Sequence, residues 1–125
     1  MIRILLAMFH SPEAQRAPYC WASAMVGHCW IGVGIWGGLA ILLDRWTAVW
    51  LAPLLYLIVW EGGQIIATRK RSWRMVWDGL LDASAVALGC IAAAHLRDGS
   101  MLIAMWAWAG SFVVATIGWK VRDRA

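Results

Sequence analysis

Charge is what this chain has least of. Only 14% of its 125 residues are Asp, Glu, Lys or Arg, where a soluble domain carries about a quarter. Cysteine is scarce too, at three residues, Cys20, Cys29 and Cys90. That odd count, with no CxxC pair, excludes a disulfide framework and leaves them as small apolar packing residues. No Walker motif, HExxH, GxSxG or zinc spacing occurs, so no enzyme class is marked by motif. Linkers, low-complexity tracts and clear internal repeats are also missing. A cleaved signal peptide is not expected, because no small-x-small site follows the short run IRILLAMF at residues 2–9.

What the chain has instead is apolar surface. Hydrophobic residues make up 62%, and the mean hydropathy is +0.66. A chain of this length has too little interior to hide so much from water. The surplus must face lipid or partner proteins. Eleven Trp add to the signal, since the indole ring favours the bilayer interface, with its N–H left wet. The formal net charge of +4 reads as orientation in a membrane rather than as nucleic-acid binding, because the basic residues are few and sit between apolar runs.

About 20 apolar residues cross a hydrocarbon core as a helix. Four stretches qualify, at residues 19–43, 46–68, 73–96 and 101–121. The expected fold is therefore all-α, a single membrane domain of four transmembrane helices. An interfacial helix is expected in the arm 1–18, set off by Pro12 and Pro18. Asp44-Arg45 and Arg97-Asp98-Gly99-Ser100 are tight connections that make antiparallel hairpins. The middle connection carries Arg69, Lys70, Arg71 and Arg74, the tail Lys120, Arg122 and Arg124, and the arm Arg3 and Arg16. All three basic segments must share a side. By the positive-inside tendency that side is the cytoplasm, which puts both termini there, in a bacterial inner membrane.

In a bilayer, small residues mark helix contacts. Gly27, Gly34 and Gly38 fall on one stripe of the first span. Pro53, Leu57, Glu61 and Gln64 align on the second. The third aligns Asp78, Asp82, Ala85 and Gly89 with Ala92 or Ala93, and the fourth Ala104, Ser111, Ala115 and Gly118. The bulky faces should meet lipid. Trp21, Trp73, Trp77 and Trp119 would anchor the inner interface, and Trp46 and Trp50 the outer. His10 and His95 belong near the interfaces.

At 1.5 Å per residue, His28, Glu61, Gln64, Asp78 and Asp82 all fall in the cytoplasmic half at similar depths. Ionisable groups there are costly, at about 2.5–3.5 kcal/mol for a central Asp, and usually functional. Three readings of the cluster stay open. Arg69, Arg71 or Arg74 could fold back to pair with the acids and hold the helices in register. The acids could line a proton or cation path. Or Glu61, Asp78 and Asp82 could hold a divalent cation such as Mg²⁺ or Mn²⁺ through oxygen ligands.

The run Glu61-Gly-Gly-Gln64, a basic turn, then Asp78-Gly-Leu-Leu-Asp82 and Gly89 resembles the VanZ-like membrane proteins. These carry E-x-x-Q, an Arg-containing loop and D-x-x-x-N. Asp82 stands where that pattern prefers Asn. Small phage-encoded membrane proteins look similar, with a His early in the first helix matching His28. The likeness covers residues 58–92. It implies a multi-pass accessory protein of the cell envelope or of a phage. The rival expectations are a transport or channel subunit, a holin-like lysis protein, and a metal-dependent intramembrane enzyme acting on lipid phosphates. Expected partners are the bilayer itself, further copies of the chain or another membrane protein, and no nucleic acid.

Overall fold

A computed structural model describes residues 18–68 and 73–123; for residues 18–20, 61, 67–68, 74–75, 118 and 121–123 it describes the backbone alone. The expected interfacial helix in the N-terminal arm, and Arg69 and Arg71, lie outside the described residues.

The described chain is all-helical, as composition requires. Helix α1 spans Pro18–Leu42, opening on a proline whose missing N–H costs nothing in the first turn. A two-residue turn follows. Asp44 caps the next helix, its carboxylate accepting from the backbone N–H of Trp46 (3.1 Å) and Thr47 (3.0 Å). That helix has an α-helical part, α2a (Arg45–Tyr56), a π-helical turn (Leu57–Glu61) and a second α-helical part, α2b (Gly62–Thr68). Helix α3 spans Trp73–Arg97 and α4 spans Met101–Asp123.

The turn between α3 and α4 closes by a defined device. Gly99 adopts φ 74°, which only glycine enters without a Cβ penalty. The Ser100 N–H then reaches the His95 carbonyl (2.8 Å), and the Gly99 N–H reaches that of Leu96 (3.1 Å). This paired pattern satisfies the last carbonyls of a helix.

The π-turn has a local cause. Pro53 lies inside α2a, where it donates no hydrogen bond and crowds the carbonyl four residues back. One turn later the Leu57 N–H is shared between the Leu54 and Pro53 carbonyls. The ladder then widens, with the Gly62 N–H bonding Leu57, five residues back. The Gly62-Gly63 pair offers no side chains to resist the wider turn.

Helices α1 and α3 lie against each other along most of their length, with α2a and α4 on either side of that pair. Contacts that step forward together along both helices make α1 and α3 parallel: His28 with Asp82, Gly32 with Val86, Trp36 beside Cys90 and Ala94. Each tight turn makes its neighbours antiparallel. Both tight turns lie at one end, where Arg45 forms an ion pair with Asp98. The helix ends leading to the basic connection and to the termini share the other end.

Small residues bring the helices together. The core is Ala48, Ala52, Ala83, Ala85, Val86, Cys90, Ala92, Ala94, Ala104 and Ala115, filled in by Trp21, Met25, Trp36 and Tyr56. Large apolar side chains point outward instead: Ile41 is 83% exposed, Leu42 82% and Trp50 75%. That inversion suits a lipid solvent, in which close backbone packing matters and covering apolar surface does not. Three segments are long and apolar enough to cross a membrane, Trp21–Leu42, Arg45–Ile66 and Val76–Arg97, with Met101–Ile117 as a shorter apolar stretch.

The packing faces differ from the sequence expectation in two helices. A Cβ on Gly27, Gly34 or Gly38 would meet nothing within 4 Å, so these glycines are not close-approach points within the chain. The contact face of α1 runs through Trp21, Met25, Cys29, Gly32 and Trp36 instead. A Cβ at Gly32 would stand 2.1 Å from the Val86 carbonyl oxygen, and one at Gly89 would stand 2.0 Å from that of Cys29. Here the two backbones touch, and the Cys90 thiol donates to the Gly32 carbonyl at 3.3 Å. In α2a the buried residues are Ala48, Val49, Ala52 and Tyr56, with Pro53 and Leu57 only partly covered. The π-turn breaks the expected stripe between Leu57 and Glu61. The faces expected of α3 and α4 are observed at Ala85, Gly89 and Ala92, and at Ala104, Ser111 and Ala115.

Candidate functional site

Three helices place polar side chains at one level. His28 stands ten residues into α1 and Asp82 nine residues into α3, each about 15 Å from the helix start. Because α1 and α3 run parallel and Gly32 meets the backbone of Val86, the residues one turn before these two, His28 and Asp82, also face each other. His28 Nδ1 lies 3.6 Å from Asp82 Oδ1, with the two side chains 13% and 21% exposed. From α2a, the Tyr56 ring meets the imidazole edge-on, centroids 5.5 Å apart at 76°. Trp60, in the π-turn, stacks on Tyr56 at 6.3 Å and 18°. The π-turn thus carries the fourth member of the group.

His28 is the unusual group. Its Nδ1 is buried and makes no hydrogen bond of acceptable geometry, although the Ala24 carbonyl one turn back also lies near the ring. A buried unpaired polar atom costs about 1–3 kcal/mol, so its persistence asks for a reason. The gap to Asp82 exceeds a hydrogen bond and is well within electrostatic reach.

The other expected residues divide. Gln64 and Asp78 are partly buried, and each is engaged by contacts of its own. Glu61 closes the π-turn with its backbone. Its side chain lies outside the described residues, as do that of Arg74 and any pairing of the acids with Arg69 or Arg71. Ser111 is buried, its hydroxyl donating to the Trp108 carbonyl at 2.7 Å, beside Cys29. Cys29 and Cys90 are buried free thiols, as expected of packing residues. Among the described residues, no group of three or more His, Cys, Asp or Glu is placed to hold a metal ion. His28 and Asp82 together supply two donors, one fewer than a catalytic zinc usually takes from its protein.

Sequence reasoning missed Tyr56, Trp60 and Gly32. The one signal for Tyr56 is its hydroxyl within a long apolar run, where a buried phenol needs a partner. No family model, curated protein or solved structure matches the chain.

Proposed function

We propose that this chain is a four-span protein of a bacterial cytoplasmic membrane in which His28 and Asp82 form a buried proton-binding centre, open toward the cytoplasmic end. Helix α4, at 23 residues, would be about 35 Å long, enough to join the three apolar segments as a fourth span. The two neutral tight turns at one end, and the basic connection and tail at the other, support both termini in the cytoplasm. The chain would act as an accessory protein of the cell envelope or of a phage, in line with the likeness of residues 58–92 to VanZ-like proteins.

The observation that carries the reading is the unsatisfied Nδ1 of His28 facing the Asp82 carboxylate. With the ring proton on Nε2, lone pairs of nitrogen and oxygen confront each other in a poorly solvated place. One added proton satisfies the nitrogen and turns the confrontation into a charge-assisted hydrogen bond. A small side-chain rotation closes the 3.6 Å gap. Tyr56 and Trp60 wall one side and limit water, which strengthens the response to a single charge.

Proton uptake by the purified protein tests this directly. Titrated between pH 4 and 8, the wild type should take up about one proton more than His28→Gln, and Asp82→Asn should shift the midpoint of that step. Superimposable titrations of wild type and His28→Gln would sink the proposal. In proteoliposomes, proton flux that depends on His28 would place the centre on a transport path. Flux unaffected by His28→Gln would leave it a sensor.

A further inference from the structure

A second feature lies away from the His28 centre. Between the first turns of α1 and the last turns of α4 runs an open groove of about 560 Å³, the size of a small-molecule site. Its inner wall is apolar, with Ala22 and Val26 from α1 and Phe112 and Ala115 from α4. Among the described lining residues, polar groups occur only toward one rim, where Ser23, Thr116 and Lys120 stand beside Trp119. Lys120 is the one ionisable side chain among the described residues that line it.

We propose that this groove binds an anionic phospholipid, one acyl chain against the apolar wall and the headgroup phosphate at Lys120. The proposal rests on the chain lying in a bilayer, and not on the proton centre. Three observations select the occupant. The apolar wall and charged rim follow one another along the helix axes, as tail and headgroup do in a lipid. The charge at the rim is positive, and no acid occurs among the described residues that line the groove. Beyond Lys120 the sequence adds Arg122, Asp123 and Arg124, a further net positive charge, so an anion is complementary and a second copy of this cationic surface is not. The Thr116 hydroxyl donates to the Phe112 carbonyl at 2.7 Å, which leaves the Ser23 hydroxyl and the Lys120 ammonium to donate to phosphate. The opposite end of the molecule differs, because Arg45 is neutralised there by Asp98.

Native mass spectrometry of the full chain, released from neutral detergent with equimolar phosphatidylglycerol and phosphatidylcholine, tests the site. Phosphatidylglycerol should be retained about fivefold over phosphatidylcholine, the effect of one basic residue at a membrane surface. Lys120→Gln should remove the preference while leaving some of both lipids bound. Ser23→Leu, at an exposed position, should reduce retention of both by filling the groove, with the helical melting curve unchanged as a control for folding. Excess inorganic phosphate should not displace the lipid. Equal retention of the two lipids, an unchanged preference in Lys120→Gln, displacement by inorganic phosphate, or a protein dimer in place of the lipid adduct would each overturn the proposal. His28→Gln should leave the lipid preference intact, so failure here is separable from failure of the proton centre.

Discussion

The two halves of this molecule are built from the same four helices by opposite means. Toward the tight turns, α1 and α3 touch backbone to backbone at Gly32 and Gly89. Alanines fill the seams there, and the loops are tied by Arg45–Asp98 and by the Trp36 indole N–H on the Arg45 carbonyl (3.1 Å). The Trp46 ring meets His95 edge-on at 5.1 Å. Toward the other end, His28 and Asp82 face each other between the same two helices, beside the buried cluster of Trp21, Met25, Cys29, Ala85 and Ala115. The second helix there loses its α-helical ladder for a turn, and a groove opens beside α4. Among the described residues, the one buried side-chain nitrogen or oxygen without a hydrogen bond, His28 Nδ1, lies in the second half. Rigid packing in the first half permits the unsatisfied group in the second, because strain at a working site persists only where its surroundings hold it.

The division places the largest stability effects at the glycine contacts. Gly89→Val and Gly32→Val place a side chain into a backbone carbonyl and should abolish the folded state. Gly89→Ala and Gly32→Ala should each cost about 3 kcal/mol or more, since backbone, unlike a side chain, cannot turn aside. Gly34→Ala and Gly38→Ala should be neutral or slightly stabilising, because alanine favours a helix interior by up to about 1 kcal/mol and meets nothing at either position. Unfolding in mixed micelles measures all four. Equal losses at Gly34 and Gly32 would contradict the placement of the contact face.

The next effect lies in the open half. A double-mutant cycle between His28→Phe and Asp82→Leu should give a coupling of about 1 kcal/mol, within the range for side chains that share one site. The same cycle between His28→Phe and Asp98→Ala, at the far end, should give none. A vanishing His28–Asp82 coupling would leave the two side chains as neighbours without an interaction and would weaken the proton-binding proposal with them.

These two tests also separate what the sequence could and could not disclose. Matching depths brought His28 and Asp82 together in advance, because helix rise is constant and a costly group must find company inside. The glycine face of α1 was not legible. In lipid, a small residue carries no mark of whether it faces a helix or the solvent, so the Gly27–Gly34–Gly38 stripe and the Cys29–Gly32–Trp36 face look equally suited. The aligned stripe of the second helix assumed an unbroken 3.6-residue period. Pro53 followed by Gly62-Gly63 changed that period within one turn. Tyr56 was hidden for a related reason, since an aromatic in an apolar run reads as lipid-facing until its neighbours are known. The turn signals, by contrast, were fully local. Asp44 before a helix and Gly99 after one need nothing from the rest of the chain.

At the turn end itself the effects should be smaller. The Arg45–Asp98 pair is half-exposed on the Arg45 side, at 46%, so solvent screens it. Arg45→Ala or Asp98→Ala should cost about 0.5–1 kcal/mol at low salt and less in 0.5 M salt, where the screening length falls to a few ångströms. A salt-independent loss would point to packing of the Arg45 side chain, whose guanidinium carbon lies 6.0 Å from the Trp46 ring centroid.

The smallest effect should be that of pH on the cap of the second helix. The Asp44 carboxyl is held below its usual range, first by the Thr47 side chain and then by the backbone N–H groups of Thr47 and Trp46. A carboxyl with a lowered folded value stabilises the fold at pH above its ordinary value of 3.8 and loses that contribution as the pH falls through the lowered one. The cap should therefore weaken only in strong acid. Asp44→Asn keeps an oxygen for the same N–H groups and has no proton to gain. It should match the wild type near pH 7 and lose less stability on acidification below pH 4. Asp44→Ala should be weaker at every pH and lack that acid-dependent component. Identical acid curves for wild type and Asp44→Asn would show that the acid sensitivity resides elsewhere than in the cap.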